Sequence, residues 1–137
     1  MTPKNKSTYT VLVVDDDPSV LATYCRLLRR EGYLTLAEND PAKVLANGHA
    51  EGRADLLLLD YKMPGMDGLS RLAELRRREC HARCILVSAF INDEVRHQAQ
   101  NLGVSLVLDK PVDVESLRRA LDQLLPLVGG PPVEVTG

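Results

Sequence analysis

The chain of 137 residues has no tryptophan, one phenylalanine and three cysteines. Cys25, Cys80 and Cys84 are odd in number and follow no ligand or disulfide pattern, so they read as free thiols of a reducing compartment. No apolar run approaches the ~18 residues of a membrane span. The opening stretch, Met1 to Tyr9, is polar and lacks the apolar centre of a signal peptide. The formal net charge is −2, which gives no electrostatic case for a nucleic-acid partner. These absences argue against a membrane-embedded chain, a disulfide-stapled secreted one and a polyanion binder. A cytoplasmic protein is the expectation.

Five short apolar runs are present: Thr10–Val14, Tyr33–Ala37, Ala54–Leu59, Arg83–Val87 and Val104–Leu108. Most are continuous rather than alternating, the pattern of strands buried on both faces of a parallel sheet. Segments with helical spacing lie between and after them. The first has Asp17 as N-cap, Pro18 at its first position and Gly32 as its stop, with Val20, Leu21, Tyr24, Leu27 and Leu28 forming one apolar stripe. A short second helix is expected from Asp40-Pro41, turning Val44 and Leu45 inward. The third follows Gly68 and buries Leu69, Leu72 and Leu75; its tail, Arg76-Arg77-Arg78, lies at the negative end of the helix dipole. The fourth buries Ile91, Val95, Ala99 and Leu102 and stops at Gly103. The fifth, capped by Asp113, buries Val114, Leu117, Leu121 and Leu124. Five β-α repeats predict an open, doubly wound parallel sheet with helices on both faces. One domain over residues 9–126 is expected, with a disordered extension at 1–8 and a tail or linker stump at 127–137.

In such a sheet ligands bind beyond the carboxyl ends of the strands. The first strand ends in Asp15-Asp16-Asp17, the third in Asp60, the fourth in Ser88 and the fifth in Asp109-Lys110-Pro111. Singly, each is ordinary: a cap, a turn residue, a satisfied hydroxyl, a solvated lysine. Their arrival at one edge is not. Two like charges about 4 Å apart repel by roughly 4 kcal/mol at an effective dielectric near 20, so three carboxylates facing one lysine call for a cation. An all-oxygen donor set suits Mg²⁺, whereas Zn²⁺ favours His and Cys ligands. Cys80-His81 and Cys84 have a loosely ligand-like spacing, but they fall at the opposite end of the fourth strand.

The segments Val11–Asp17 (VLVVDDD), Leu58–Gly68 (LLDYKMPGMDG), Val87–Ala89 (VSA) and Lys110-Pro111 together resemble the receiver domain of two-component response regulators. The resemblance covers residues 9–126 and implies a flavodoxin-like (βα)₅ fold with strand order 2-1-3-4-5, an order the receiver family is already known to share. It also implies roles. Asp60 is the phosphoacceptor, taking a phosphoryl group from a histidine kinase or phosphotransfer protein, or from a small phosphodonor. Asp15, Asp16 and Asp60, with the backbone carbonyl of Lys62, hold Mg²⁺. Ser88 donates to the attached phosphoryl group, Lys110 pairs with one of its oxygens, and the Lys110–Pro111 peptide is cis. The chain assists its own phosphorylation and dephosphorylation but is a signalling phosphoacceptor rather than an enzyme. In the family, phosphorylation reshapes the face of the fourth helix, fifth strand and fifth helix, here including Asn92, Glu94, Arg96, Gln98, Arg118, Arg119 and Asp122; its mixed charges are ordinarily a solvated face, with docking of an effector or a second copy the functional alternative. The arginines of the first and third helices (Arg26, Arg29, Arg30, Arg76, Arg77, Arg78) are ordinarily solubilising, with kinase contact the functional alternative.

The chain departs from the family pattern in places. Val107 stands three residues before Lys110, where receivers often carry Tyr or Phe, so the usual aromatic flip is unavailable. Asp109 adds a negative charge beside Lys110, and Ser88 replaces the commoner Thr. Lys62 and Phe90, each two residues after a key group, are expected to slow autodephosphorylation. Two rival readings exist. In a haloacid-dehalogenase-type phosphatase Asp15 is the nucleophile and Asp17 the acid/base, but no further carboxylate pair follows Lys110 and the MPGMDG segment goes unexplained. The other rival is a receiver that works purely as a docking module, independent of phosphate.

Overall fold

The computed structural model describes residues 8–39, 54–62, 67–78, 80–89 and 91–126. The elements are β1 (Thr10–Val14), α1 (Pro18–Arg30), β2 (Leu34–Glu38), β3 (Leu56–Asp60), α2 (Gly68–Arg77), β4 (Arg83–Ser88), α3 (Asp93–Asn101), β5 (Leu106–Asp109) and α4 (Val114–Leu124). All five strands are parallel in the order β2-β1-β3-β4-β5, the order expected. The short second helix expected from Asp40-Pro41 lies outside the described residues, as do residues 1–7 and 127–137.

The continuous apolar runs are explained by two-sided burial. Alternate residues of the inner strands feed two separate cores. Val11, Val13, Leu56, Leu58, Ile85 and Val87 pack with Leu28 of α1 and Leu117 and Leu121 of α4. Leu12, Val14, Leu57, Leu59 and Leu86 pack with Leu69, Leu72 and Leu75 of α2 and Val95 and Ala99 of α3. Fully burying each such side chain contributes about 1.5–3 kcal/mol before conformational entropy is counted. β2 lies at the sheet edge, and Leu34 is accordingly exposed.

The helices end where local chemistry dictates. Asp17 Oδ1 accepts from the Ser19 and Val20 N–H groups, and Pro18 opens α1. At its other end Gly32 takes φ 100°, and the Tyr33 N–H reaches back to the Leu28 carbonyl at 3.0 Å. Gly103 closes α3 in the same way, with φ 74° and Val104 N–H to Ala99 O at 2.9 Å.

Several expectations need correction. β2 to β5 each end one residue later than the apolar pattern, so that Glu38, Asp60, Ser88 and Asp109 belong to the strands, and β2, β3 and β5 begin later than expected, at Leu34, Leu56 and Leu106. Apolar runs end where a polar residue begins, whereas backbone pairing continues. Glu38 closes β2, and its carbonyl accepts from Asp15 N–H at 3.2 Å. Val114 is 47% exposed rather than buried, because the first position of α4 faces away from the sheet, and Leu125 past the helix end is buried in its stead. Ile91, Leu102 and Leu124 are half-buried rather than buried. Arg76 is neither solubilising nor free for a partner. It donates to the carbonyls of Leu102 (3.0 Å), Cys80 (2.9 Å) and Ala82 (2.7 Å), tying α2 to the loops that flank β4 and α3.

Candidate functional site

The register of the sheet brings the chemistry together. β1 and β3 are neighbours, and so are β3 and β4, while Ser88 pairs with Asp109 one residue before Lys110. Asp15, Asp60 and Ser88 are 2%, 6% and 1% exposed, and Asp16 is half-buried. Lys110 Nζ lies 3.2 Å from Asp60 Oδ1 and 3.8 Å from Asp15 Oδ2. Asp15 Oδ1 also accepts the Asp17 N–H at 3.0 Å, and the Lys62 N–H donates to the Asp60 carboxylate. The Lys110 N–H binds the Ser88 carbonyl at 3.0 Å, and the Lys110–Pro111 peptide is cis, as expected.

Asp15, Asp16 and Asp60 each offer a carboxylate oxygen, all within 4.8 Å of one another, and they form the only such cluster among the described residues. Burial pushes the Asp15 and Asp60 carboxyls above the ordinary carboxylate value, and the other carboxylates add to this against the opposing pull of Lys110 and backbone N–H groups. Burial works to lower Lys110, but the hydrogen bond and charge of Asp60, followed by Asp15, outweigh it and raise the ammonium. The donors are all oxygen, close-set and short of positive charge, which fits a hard divalent cation such as Mg²⁺. Cys80 and Cys84 are buried free thiols, and burial pushes Cys84 to about 12, a poor state for a ligand.

A group whose folded pKa is raised favours the fold while protonated, and that contribution is lost as pH rises through the folded value. Ionised Asp15 therefore opposes folding at neutral pH. In EDTA at pH 7, Asp15→Asn is expected to raise the thermal midpoint by about 3 °C, the response to roughly 1 kcal/mol in a domain of this size. The gain should vanish in melts below the ordinary carboxylate range. A lower midpoint at pH 7 would show that the ion pair with Lys110 outweighs desolvation.

Two features were not legible as functional. Tyr24, read only as part of the stripe of α1, is half-buried beside the cluster. Burial raises its phenol, Lys110 draws it down, and Asp15 and Asp60 raise it further. A phenol where Leu or Ile would serve packing equally was the available signal. Gly68, read as preceding its helix, is the first residue of α2, capped by Asp67. A Cβ there would meet Asp60 O at 2.5 Å and Tyr61 Cα at 3.1 Å, so only glycine lets the helix start against the end of β3. Gly68→Ala is expected to destabilise by about 2–3 kcal/mol through overpacking, read in urea melts. An unchanged midpoint would mean the strand end yields freely.

Of the remaining expectations, Asp109 is exposed, and Val107 is half-buried against the core that holds Leu86 and Val95. Phe90 and residues 63–66 lie outside the described residues. Asp17 is exposed, and its Oδ1 caps α1, the cap role its position before Pro18 predicts rather than the acid/base role of the phosphatase reading. Among the described residues no helix is long and apolar enough to cross a membrane.

Residues 11–122 match the family model for the response regulator receiver domain. The chain is 31% identical over 117 residues to sporulation initiation phosphotransferase F of Bacillus subtilis, covering 85% of this chain and 94% of that protein. Several other curated relatives are longer, and the chain spans only 25% of the regulatory protein AtoC of Escherichia coli. Among solved structures, chemotaxis protein CheY4 of Vibrio cholerae superposes with a TM-score of 0.77 at 24% identity, over 86% of this chain and 99% of that one. The response regulator TrrA of Thermotoga maritima gives 0.73 at 27% identity, over 85% and 99%. With four strand ends delivering their polar residues to one edge of a 2-1-3-4-5 sheet, and with these relatives, the chain belongs to the response regulator receiver domain family.

Proposed function

We propose that this chain is a signalling phosphoacceptor: Asp60 takes a phosphoryl group from a histidine kinase or phosphotransfer protein and thereby switches contacts with a downstream effector. The observation that carries this is the buried Asp60 carboxylate with Lys110 Nζ at 3.2 Å, beside Asp15 and Asp16. An Asp60 oxygen attacks phosphorus, the bond from phosphorus to the donor's nitrogen or oxygen breaks, and the electron pair leaves with the donor. A carboxylate is already a competent nucleophile, so no added base is needed. Lys110 neutralises a phosphoryl oxygen, and the Ser88 hydroxyl donates to another. Asp15, Asp16 and Asp60, with the Lys62 carbonyl, would hold Mg²⁺, which when bound offsets the crowded negative charge of carboxylates and phosphate. The relative TrrA is described in complex with Mg²⁺ and BeF, in keeping with such a site.

The phosphoacceptor unit comprises residues 9–126 and works in the cytoplasm. The face of α3, β5 and α4 is its output and dimerisation surface. With Val107 half-buried and no aromatic in its place, the switch runs through loop and backbone shifts. The test is mass spectrometry after incubation with acetyl phosphate. One phosphoryl adduct is expected, dependent on Mg²⁺ and cleaved by hydroxylamine as an acyl phosphate must be. No adduct with acetyl phosphate or with a phosphorylated kinase would leave a docking module.

A further inference from the structure

Beside the carboxylate cluster, on its α1 side, lies a cavity of about 530 Å³ walled by Val20, Tyr24, Ala89, Pro111 and Val112, with Lys110 and the hydroxyl residues Ser19 and Thr23 also in its lining. Its size is that of a small-molecule site, and its walls are mostly apolar. Lys110 is the only charged residue among the described residues that line it. The same ammonium is 3.2 Å from Asp60 Oδ1. One cation therefore serves both spaces, and whatever enters the cavity with an anionic end is held next to the acceptor.

We propose that this cavity receives the leaving group of a small phosphoryl donor, and that the chain prefers acyl phosphates with an apolar, ring-sized acyl group over acetyl phosphate. The inference rests on the phosphoacceptor reading above and adds a donor class to it. In the transfer, the bond between an Asp60 oxygen and phosphorus forms while the bond from phosphorus to the acyl oxygen breaks. The electron pair departs on a carboxylate, and no proton moves. The departing group is thus an anion with an apolar body, complementary to a lysine at one end and to Val20, Pro111 and Val112 along the sides. Acetate fills a small part of such a volume. A phenyl ring covers the valines and stacks within reach of Tyr24. No general acid is required, which agrees with a lining whose titratable groups are Lys110 and a phenol raised by burial.

The experiment measures initial rates of adduct formation on the full chain with benzoyl phosphate and with acetyl phosphate at equal concentration, for wild type, Val20→Trp and Val112→Glu. Each protein's benzoyl-to-acetyl ratio is the readout, so a loss of folded fraction cancels. Comparison between proteins also cancels the intrinsic reactivity of the two donors. Filling the cavity or placing an anion in its wall is expected to lower the ratio about tenfold, equivalent to 1.4 kcal/mol of discrimination. A ratio unmoved in both variants, with Asp60 still labelled by acetyl phosphate, overturns the leaving-group site and leaves the phosphoacceptor reading standing. No label from either donor on wild type defeats both.

Discussion

Asp60→Asn is expected to abolish the phosphoryl adduct formed with acetyl phosphate and Mg²⁺, while Asp15→Asn only slows it and leaves the label on Asp60. The amide keeps the shape of the carboxylate but has no anionic oxygen to attack phosphorus. Asp15 is as buried as Asp60, yet the two are held differently. Asp60 has Lys110 at 3.2 Å, whereas Asp15 has it at 3.8 Å and also accepts the Asp17 N–H at 3.0 Å. The residue nearer the ammonium is the one whose attached phosphoryl group that ammonium can neutralise. Peptide mapping of the adduct decides the matter. A label that persists in Asp60→Asn and maps to Asp15 would revive the phosphatase assignment, with Asp17, whose Oδ1 caps α1, as its acid/base. Loss of one negative charge from the cluster should also raise the metal-free stability of Asp60→Asn, so a missing adduct cannot be ascribed to unfolding if melts are run in parallel.

What the sequence shows of this arrangement depends on the range of the interaction. Asp17-Pro18, Gly32 and Gly103 act within a few residues of themselves, and each does in the structure what its local chemistry requires. The strand core is legible because two-sided burial leaves continuous apolar runs. Even the convergence of Asp15, Asp60 and Lys110 is readable, since a parallel sheet places all strand carboxyl ends on one edge. Arg76 is different. Its carbonyl partner at Leu102 is 26 residues away, and nothing in the run Arg76-Arg77-Arg78 distinguishes the clamp from its exposed neighbours. Gly68 is hidden likewise, because the reason for glycine is the Asp60 carbonyl that the start of α2 approaches. Val114 misled for the opposite reason: an apolar residue in the first turn counts toward a helical stripe, but at the first position of α4 it is exposed, and burial begins at Leu117. Pattern reports which face of an element is buried, and packing between distant elements sets where the face begins and what else it touches.

Lys110→Met is expected to slow adduct formation by about 10²–10³-fold while tightening Mg²⁺ binding. The first effect follows from removing the one lysine that faces the acceptor at 3.2 Å, where the transferring group's oxygens gather charge; losing one such preorganised donor typically costs this much. The second follows from sign. A cation among Asp15, Asp16 and Asp60 competes with the ammonium for the same oxygens, and both contacts of Lys110 are to that cluster. Methionine keeps much of the stem volume and removes only the charge, so packing along β5 is largely preserved. Arg in this place should not restore the rate, because a planar fork does not reproduce a compact ammonium set between two carboxylates. Metal binding followed by fluorescence or calorimetry, beside transfer rates from acetyl phosphate, separates the two effects. If both weaken together, Lys110 is holding the carboxylates in place rather than acting on the phosphoryl group. If the rate is unchanged, neutralisation in this site comes from the metal alone.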